Sequence, residues 1–159
     1  MQIRQATAAD AAGISALILG VSRFFTLHPD GDGAEAFLAT LSPNAIAGYL
    51  ASPDFRYLVA EDAGALAGVV AVRDNRHLYH LFVSPAVHGQ GLARRLWTAA
   101  MADALRDGNP GEFTVNSSLY AVPVYERFGF RPTGPRVDAH GIAFVPMKLV
   151  VAPKDDPAR

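Results

Sequence analysis

The stretch VSPAVHGQGLARRLW, Val83 to Trp97, sets a short strand-like run against a glycine turn and the start of a helix near Gly91. Arg94 and Arg95 then fall in the first turns of that helix, where the backbone dipole is already partially positive and acidic side chains are preferred. A helix N-terminus exposes unpaired N–H groups, and together with the dipole these form a site for phosphate or carboxylate. Glycine admits the ligand to the backbone where a side chain would bar it. Two cations here make sense if a doubly charged anion binds, each charge placement contributing roughly 0.3–1 kcal/mol at an exposed helix end. The alternative is a plain strand-to-helix connection with arginines reaching into water, because a lone G-x-G has low specificity. Two other phosphate loops are excluded. Arg94 stands where the dinucleotide fingerprint needs its third glycine, and no Gly-Lys-Ser or Gly-Lys-Thr occurs.

Outward from this turn, the spacing predicts a helix from about Gly91 to Arg106 with Leu92, Leu96, Ala100, Ala104 and Leu105 as its core stripe. DGNPG ends it, EFTVNSS reads as a strand, and YAVPVYERF as a helix closed by Gly129 at C′. Pro123 fits that helix only in its first turn, so the helix starts near Tyr120 or Ala121. Asn116 and Ser118 then fall in the preceding turn. Upstream, FRYLVAED, ALAGVVAVRDN and HLYHLFVSP are β-rich runs expected to form an antiparallel meander. Met1 to Ala6 reads as a first strand, followed by a helix capped by Thr7 or Asp10 with Ile14, Leu17, Ile18 and Val21 at helical spacing. Ala34 to Leu41 and Pro43 to Leu50 read as short helices after the loop TLHPDGDG. RPTGPRVDAHGIAFVPMKLVV supplies one or two final strands with a turn at DAHG, and 151–159 reads as a frayed tail. Neither a repeat nor a low-complexity linker interrupts residues 1–150, which are expected to form one α/β domain.

Composition narrows the function. Of 159 residues, 50% are hydrophobic and 18% charged, with a formal net charge of −1, so nothing global points to nucleic acid or to an anionic membrane. The absence of cysteine removes disulfides, thiolate metal sites and cysteine nucleophiles, and fits a reducing cytoplasm. Neither a signal-peptide h-region nor a bilayer-length apolar run is seen. No H-x-x-x-H or acid-flanked pair suggests a metal, and HPDGDG is too short for a calcium loop.

A second motif, TVNSSLYAVPVYERFGF from Thr114 to Phe130, joins the first. With both in order, the chain resembles the GNAT superfamily of acyl-CoA-dependent N-acyltransferases. Val83, Pro85, Gly91 and Ala93 meet V-x-P-x-x-[QR]-x-x-G-x-[GA]. Asn116, Tyr125, Gly129 and Phe130 meet the strand-end Asn followed by a Tyr-bearing helix closed by Gly-Phe. His88 departs from the pattern, standing where Gln or Arg is usual, which implies weakened or pH-sensitive binding. The resemblance implies an α/β (α+β) fold with a mixed, mostly antiparallel twisted sheet of six to seven strands, its central strands splayed, and about four helices. It also implies acetyl-CoA as cosubstrate. The backbone of Phe82 and Val83 would pair with pantetheine, the loop His88, Gly89, Gln90, Gly91, Leu92, Ala93 and Arg94 would cradle the pyrophosphate, and Asn116 and Ser118 would meet the arm from the opposite side.

Acyl transfer from a thioester to an amine needs a free-base amine, an oxyanion donor and help for the departing thiolate. A backbone N–H near Phe82 or Val83 is the expected oxyanion donor, and Tyr125 the group that meets the sulfur; a buried tyrosine satisfied by a neighbour is the alternative. His80 shares a strand face with Phe82, opposite Leu81 and Val83, and its ordinary pKa near 6.5 suits a base. It equally suits a hydrogen bond to a neighbouring strand, with water as base. Phe24, Phe25 and His28 fall in the segment that covers the acceptor in such proteins, and Phe24 and Phe25 equally suit the core. His77 and His140 read as solvent-facing. The expected reaction moves acetyl from acetyl-CoA to a primary amine of a small molecule or peptide by direct attack in a ternary complex. A silent CoA-binding sensor and a ligand-free interaction module are the rival readings. No nucleic-acid or membrane partner is expected, and terminal-strand pairing of the kind such proteins use allows a homodimer.

Overall fold

The computed structural model describes residues 1–151; the predicted frayed tail lies outside the described residues apart from Val151. Eight strands form one sheet: β1 (Gln2–Gln5), β2 (Phe55–Asp62), β3 (Ala65–Arg73), β4 (His77–Val83), β5 (Glu112–Ser118), β6 (Arg131–Pro132), β7 (Val137–Ala139) and β8 (Ile142–Val150). The order is β1-β2-β3-β4-β5-β8-β6, with β7 also on β8. All neighbours are antiparallel except β4 and β5. Five helices flank it: α1 (Ala11–Leu19), α2 (Glu35–Ala39), α3 (Pro43–Ala51), α4 (Leu92–Arg106) and α5 (Val122–Arg127). The strand and helix counts each exceed the sequence expectation slightly. The extra strand is β6, whose two residues, Arg131 and Pro132, are too few to show alternation.

The sheet is buried on both faces. On one, α4 and α5 lay Leu92, Leu96, Trp97, Ala100 and Tyr125 over Val70, Leu78, Phe113 and Val115. On the other, α1, α2 and α3 cover Tyr57, Val59, Val69 and Ala71 with Ile14, Ile18 and Ile46. Each fully buried branched aliphatic among these contributes about 1.5–3 kcal/mol. Two residues of the α4 stripe differ from expectation. Leu105 is 36% exposed, whereas Trp97 is buried between Phe113 and Phe130 at centroid distances of 5.0 and 5.7 Å. A wider apolar stripe than the i, i+4 row therefore faces the sheet, because an indole reaches across from the neighbouring row.

Arg4 ties the first strand to the α1 layer. Its guanidinium meets both Asp10 oxygens at 2.9 Å and Glu61 at 3.1 Å. The Arg4 hydrogen bond holds the Asp10 carboxyl down to about 2. Pro123 sits at the second position of α5 after an Ala121 N-cap, the placement its ring requires.

The chain between α1 and α2 is pinned to the β7–β8 turn. Leu27 N–H donates to the Gly141 carbonyl at 2.8 Å, and Thr26 bridges Ile142. Gly141 has φ +77°, and a Cβ there would stand 2.4 Å from the Gly33 carbonyl oxygen. Only glycine meets both demands. Gly141→Ala is expected to lower unfolding free energy by about 2–4 kcal/mol. Urea denaturation checks this, and a wild-type midpoint would show that the contact carries no weight.

Candidate active site

The site begins with a bulge. Ala71 pairs with His80 but Val72 pairs with Leu78, so Tyr79 is the extra residue on β4. Beside it, the parallel pairing of β4 with β5 extends over only His77↔Thr114 and Leu78↔Val115. Beyond Leu78 the two strands part, and β5 continues against β8 to Ser118. His77 Nδ1 lies 2.7 Å from Thr114 Oγ1 and clasps the strands at the root of the parting. This corrects its solvent-facing assignment: the ring is half-buried, and burial lowers its pKa to about 4.

Parity decides which backbone groups face the opening. Ser84 N–H donates to Ala67 O at 2.8 Å, and the register pairs Phe82 with Val69 and His80 with Ala71. In an antiparallel ladder such bonds alternate. Residues 80, 82 and 84 thus turn their peptide groups to β3, while Leu81 and Val83 turn theirs to the gap. The main-chain groups left without a strand partner are therefore those of Leu81 and Val83 rather than of Phe82 and Val83, while the Phe82 ring lines the crevice.

A cleft of about 420 Å³ runs from this open edge to the head of α4. Val83, His88, Gly89, Gly91, Leu92, Ala93 and Arg94 line one side; Val124, Tyr125 and Phe128 line the other. Gln90 is not among its lining residues. Gly91 is the N-cap of α4 at φ +74° and Gly89 has φ +79°, and a Cβ on either would meet no atom within 4 Å. These glycines serve backbone conformation and an open approach rather than internal packing. The first amide bonded back into the helix is that of Arg95, to Gly91 O at 3.1 Å. Among the described residues, the amides from Gly89 to Arg94 have no backbone acceptor. The row is bare, and every residue of it but Gln90 lines the cleft.

The two arginines diverge. Arg94 lies over the Phe128 ring, 4.9 Å from its centroid, and reaches the Arg127 carbonyl at 3.5 Å. Its charge is thereby held at the cleft wall by an aromatic face and the C-terminal end of α5. Arg95 is exposed and lines neither cleft described here. His88 Nε2 lies 3.0 Å from the Val83 carbonyl, one of the groups on the open edge.

A second cleft of about 320 Å³ lies on the α2 and β8 side. Phe25, Leu81, Phe82 and Tyr125 line both, so the two meet where β4 and β5 part. Tyr125 is buried on α5, and burial alone raises its pKa, which keeps the phenol protonated. His80, Asn116 and Ser118 line this second cleft and not the first. Asn116 and Ser118 belong to β5 rather than to the turn after it, and Ser118 Oγ accepts from Ala121 N at 3.2 Å.

His80 is 6% exposed, and its Nδ1 lies 3.0 Å from the Tyr57 hydroxyl across the sheet face. Burial lowers its pKa to about 3, so the ring is neutral near pH 7 and a weak base. The partner is on β2, two strands away, so the expected hydrogen bond to a neighbouring strand is realised across the face instead. Phe24 lines the first cleft and stacks on Tyr120, which also lines it, at 4.6 Å. His28 is exposed and lines neither cleft. Sequence reasoning missed Tyr79, Tyr120 and Phe144 as lining residues. Only a bulge prediction for β4 would have pointed to the first, since strand alternation alone puts Tyr79 on the opposite face from His80.

Among the described residues, no group of three or more His, Asp or Glu side chains is placed to hold a metal, and no helix is long and apolar enough to cross a membrane. No curated protein matches the chain in sequence. Several solved structures match it in fold. A GCN5-related N-acetyltransferase from Rhodopseudomonas palustris superposes with a TM-score of 0.76 at 20% identity, covering 94% of this chain and 95% of that one. The PaiA N-acetyltransferase from Thermoplasma acidophilum in complex with coenzyme A gives 0.75 at 14% identity, covering 94% and 98%. An aminoglycoside 6'-N-acetyltransferase complexed with coenzyme A gives 0.71 at 13%, covering 98% and 100%. At these identities the likeness is one of fold. The family model described as an acetyltransferase (GNAT) domain matches residues 25–151, most of the sequence, and with the parted sheet and the glycine-headed helix this establishes that the chain belongs to the GNAT acetyltransferase family.

Proposed function

We propose that the protein transfers an acetyl group from acetyl-CoA to a primary amine by direct attack within a ternary complex. One observation carries the reading: the unpaired edge of β4 and the bare amides at the head of α4 border a single cleft that reaches Tyr125. An extended arm of amides can add to an open strand edge as a new strand. A diphosphate suits a row of N–H groups at the head of a 15-residue helix. Acetyl-CoA brings both features, together with an acetyl group activated as a thioester.

The chain's own residues then divide the work. Leu81 and Val83 hold the arm, and an N–H of this edge beside the bulge is the preplaced donor for oxyanion charge. His88 guards the Val83 carbonyl and is displaced as the arm pairs there. The Tyr125 phenol donates a hydrogen bond to the departing sulfur. Complete proton transfer from a phenol above its ordinary 10 to a thiolate near 8.5 is uphill in water. The desolvation that raises the phenol also raises the sulfur's basicity, which narrows that gap. His80, with its lowered pKa, orients the amine as a hydrogen-bonding group, and water carries the proton away. The shared wall of the two clefts at Phe82 and Tyr125 lets donor and acceptor meet without a covalent enzyme intermediate.

Two variants test the assignment. Tyr125→Phe is expected to lower turnover more than about tenfold with little change in CoA affinity. Thiol-release kinetics with a parallel CoA titration checks this, and unchanged turnover removes the phenol from the mechanism. Gly91→Val forces a branched side chain to φ +74° and over the amide row, and should weaken CoA binding at least about tenfold. Calorimetry that returned wild-type affinity would place the diphosphate elsewhere.

A further inference from the structure

We infer that the acceptor is a primary monoamine on an aromatic body, an arylalkylamine, and not a polycation or an amino acid. The inference rests on the acetyltransferase reading and concerns the second cleft. Its walls include the aromatic rings of Phe25, Phe37, Tyr79, Phe82 and Phe144. Phe25 meets Phe37 and Phe82 edge-to-face at 5.9 and 5.6 Å, and Tyr79 lies against His80 at 4.3 Å. The chain has 14 Lys and Arg and 15 Asp and Glu, yet none of them lines this cleft. Its polar side chains carry no formal charge: His80 and Tyr125 are buried, Thr40, His77, Tyr79 and Ser118 are half-buried, and Asn116 and His140 are exposed.

That inventory selects by exclusion as well as by fit. A polyamine or aminoglycoside would bring further ammonium groups into a space without a carboxylate, and a buried charge without a partner is strongly disfavoured. An α-amino acid would bring a carboxylate that no arginine or lysine meets. A flat ring, by contrast, finds edges and faces of the kind aromatic pairs prefer. A volume of about 320 Å³ is at the low end for ligand pockets and suits a body of roughly one or two rings.

The same lack of charge performs a chemical task. An alkylammonium entering a site that holds His80 neutral is pushed toward its free base by the same desolvation. The nitrogen lone pair then forms the new C–N bond as the C–S bond breaks. The proton released from nitrogen goes to water, and the sulfur leaves as thiolate hydrogen-bonded to Tyr125 and is protonated to free CoA. The balance is amine plus acetyl thioester giving N-acetyl amide plus thiol.

The test uses the full chain with acetyl-CoA, following thiol release and product mass for phenethylamine, tryptamine, spermidine, kanamycin and phenylalanine. CoA affinity is measured separately by calorimetry. Phenethylamine or tryptamine should exceed spermidine, kanamycin and phenylalanine in kcat/KM by at least about 100-fold. Preference for spermidine, kanamycin or phenylalanine overturns the inference and leaves the acetyltransferase reading standing. CoA binding without acetylation of either aromatic amine also overturns it. Absence of CoA binding overturns both.

Discussion

Two rungs of parallel pairing, and no more, join the halves of this sheet. Every feature of the site depends on their ending at Leu78. Had β4 and β5 remained paired, the peptide groups of Leu81 and Val83 would be satisfied internally and no ligand could claim them. The bulge at Tyr79 marks the change. It adds a residue to β4 on the β3 side, bends the strand, and brings Tyr79 and His80 to the same face. The His77–Thr114 bond fixes the point of divergence, and the β5–β8 ladder carries the other half away intact. Open edges are a liability in free proteins. Here the liability is contained within the fold, where His88 covers one of the exposed carbonyls.

The electrostatics follow the same plan. Cations at a helix N-terminus oppose the dipole, and Arg94 relieves that conflict by turning to the Phe128 face and the end of α5. Positive charge thus stands beside the bare amides in the first cleft, and no Lys, Arg, Asp or Glu lines the second. The two clefts, which share Phe82 and Tyr125 as lining, join a wall bearing bare amides and Arg94 to one that is aromatic and without formal charge. A thioester at that junction would sit at the boundary of the two environments.

The elements that carry these features were legible to different degrees. The β2–β3–β4 meander, α4 and α5 could be read because their periodicity is strong and their breakers are glycine and proline at positions with a physical meaning. Gly91 at the head of α4 and Pro123 in the first turn of α5 are where turn and ring chemistry require them. The family resemblance added the parting of the strands, which no propensity encodes. The bulge was not legible, since Tyr79 and His80 are both ordinary strand residues, and with it the one-residue shift from Phe82 to Leu81 was hidden. Trp97 was missed because side-chain reach, rather than Cα position, decides its burial. The exposure of His28 and the half-burial of His77 were hidden for a similar reason: sequence does not say which way a ring turns, whereas the Thr114 partner across the strands does.

On the proposed function, the main-chain edge of Leu81 and Val83, unpaired in the free protein, becomes a strand partner when coenzyme A binds. Residue-resolved amide hydrogen exchange tests it directly. These two amides should exchange fast in the free protein and slow by at least about tenfold at saturating coenzyme A, with Phe82 protected in both states. Protection of Leu81 and Val83 before the ligand is added, or unchanged exchange at saturation, would contradict it.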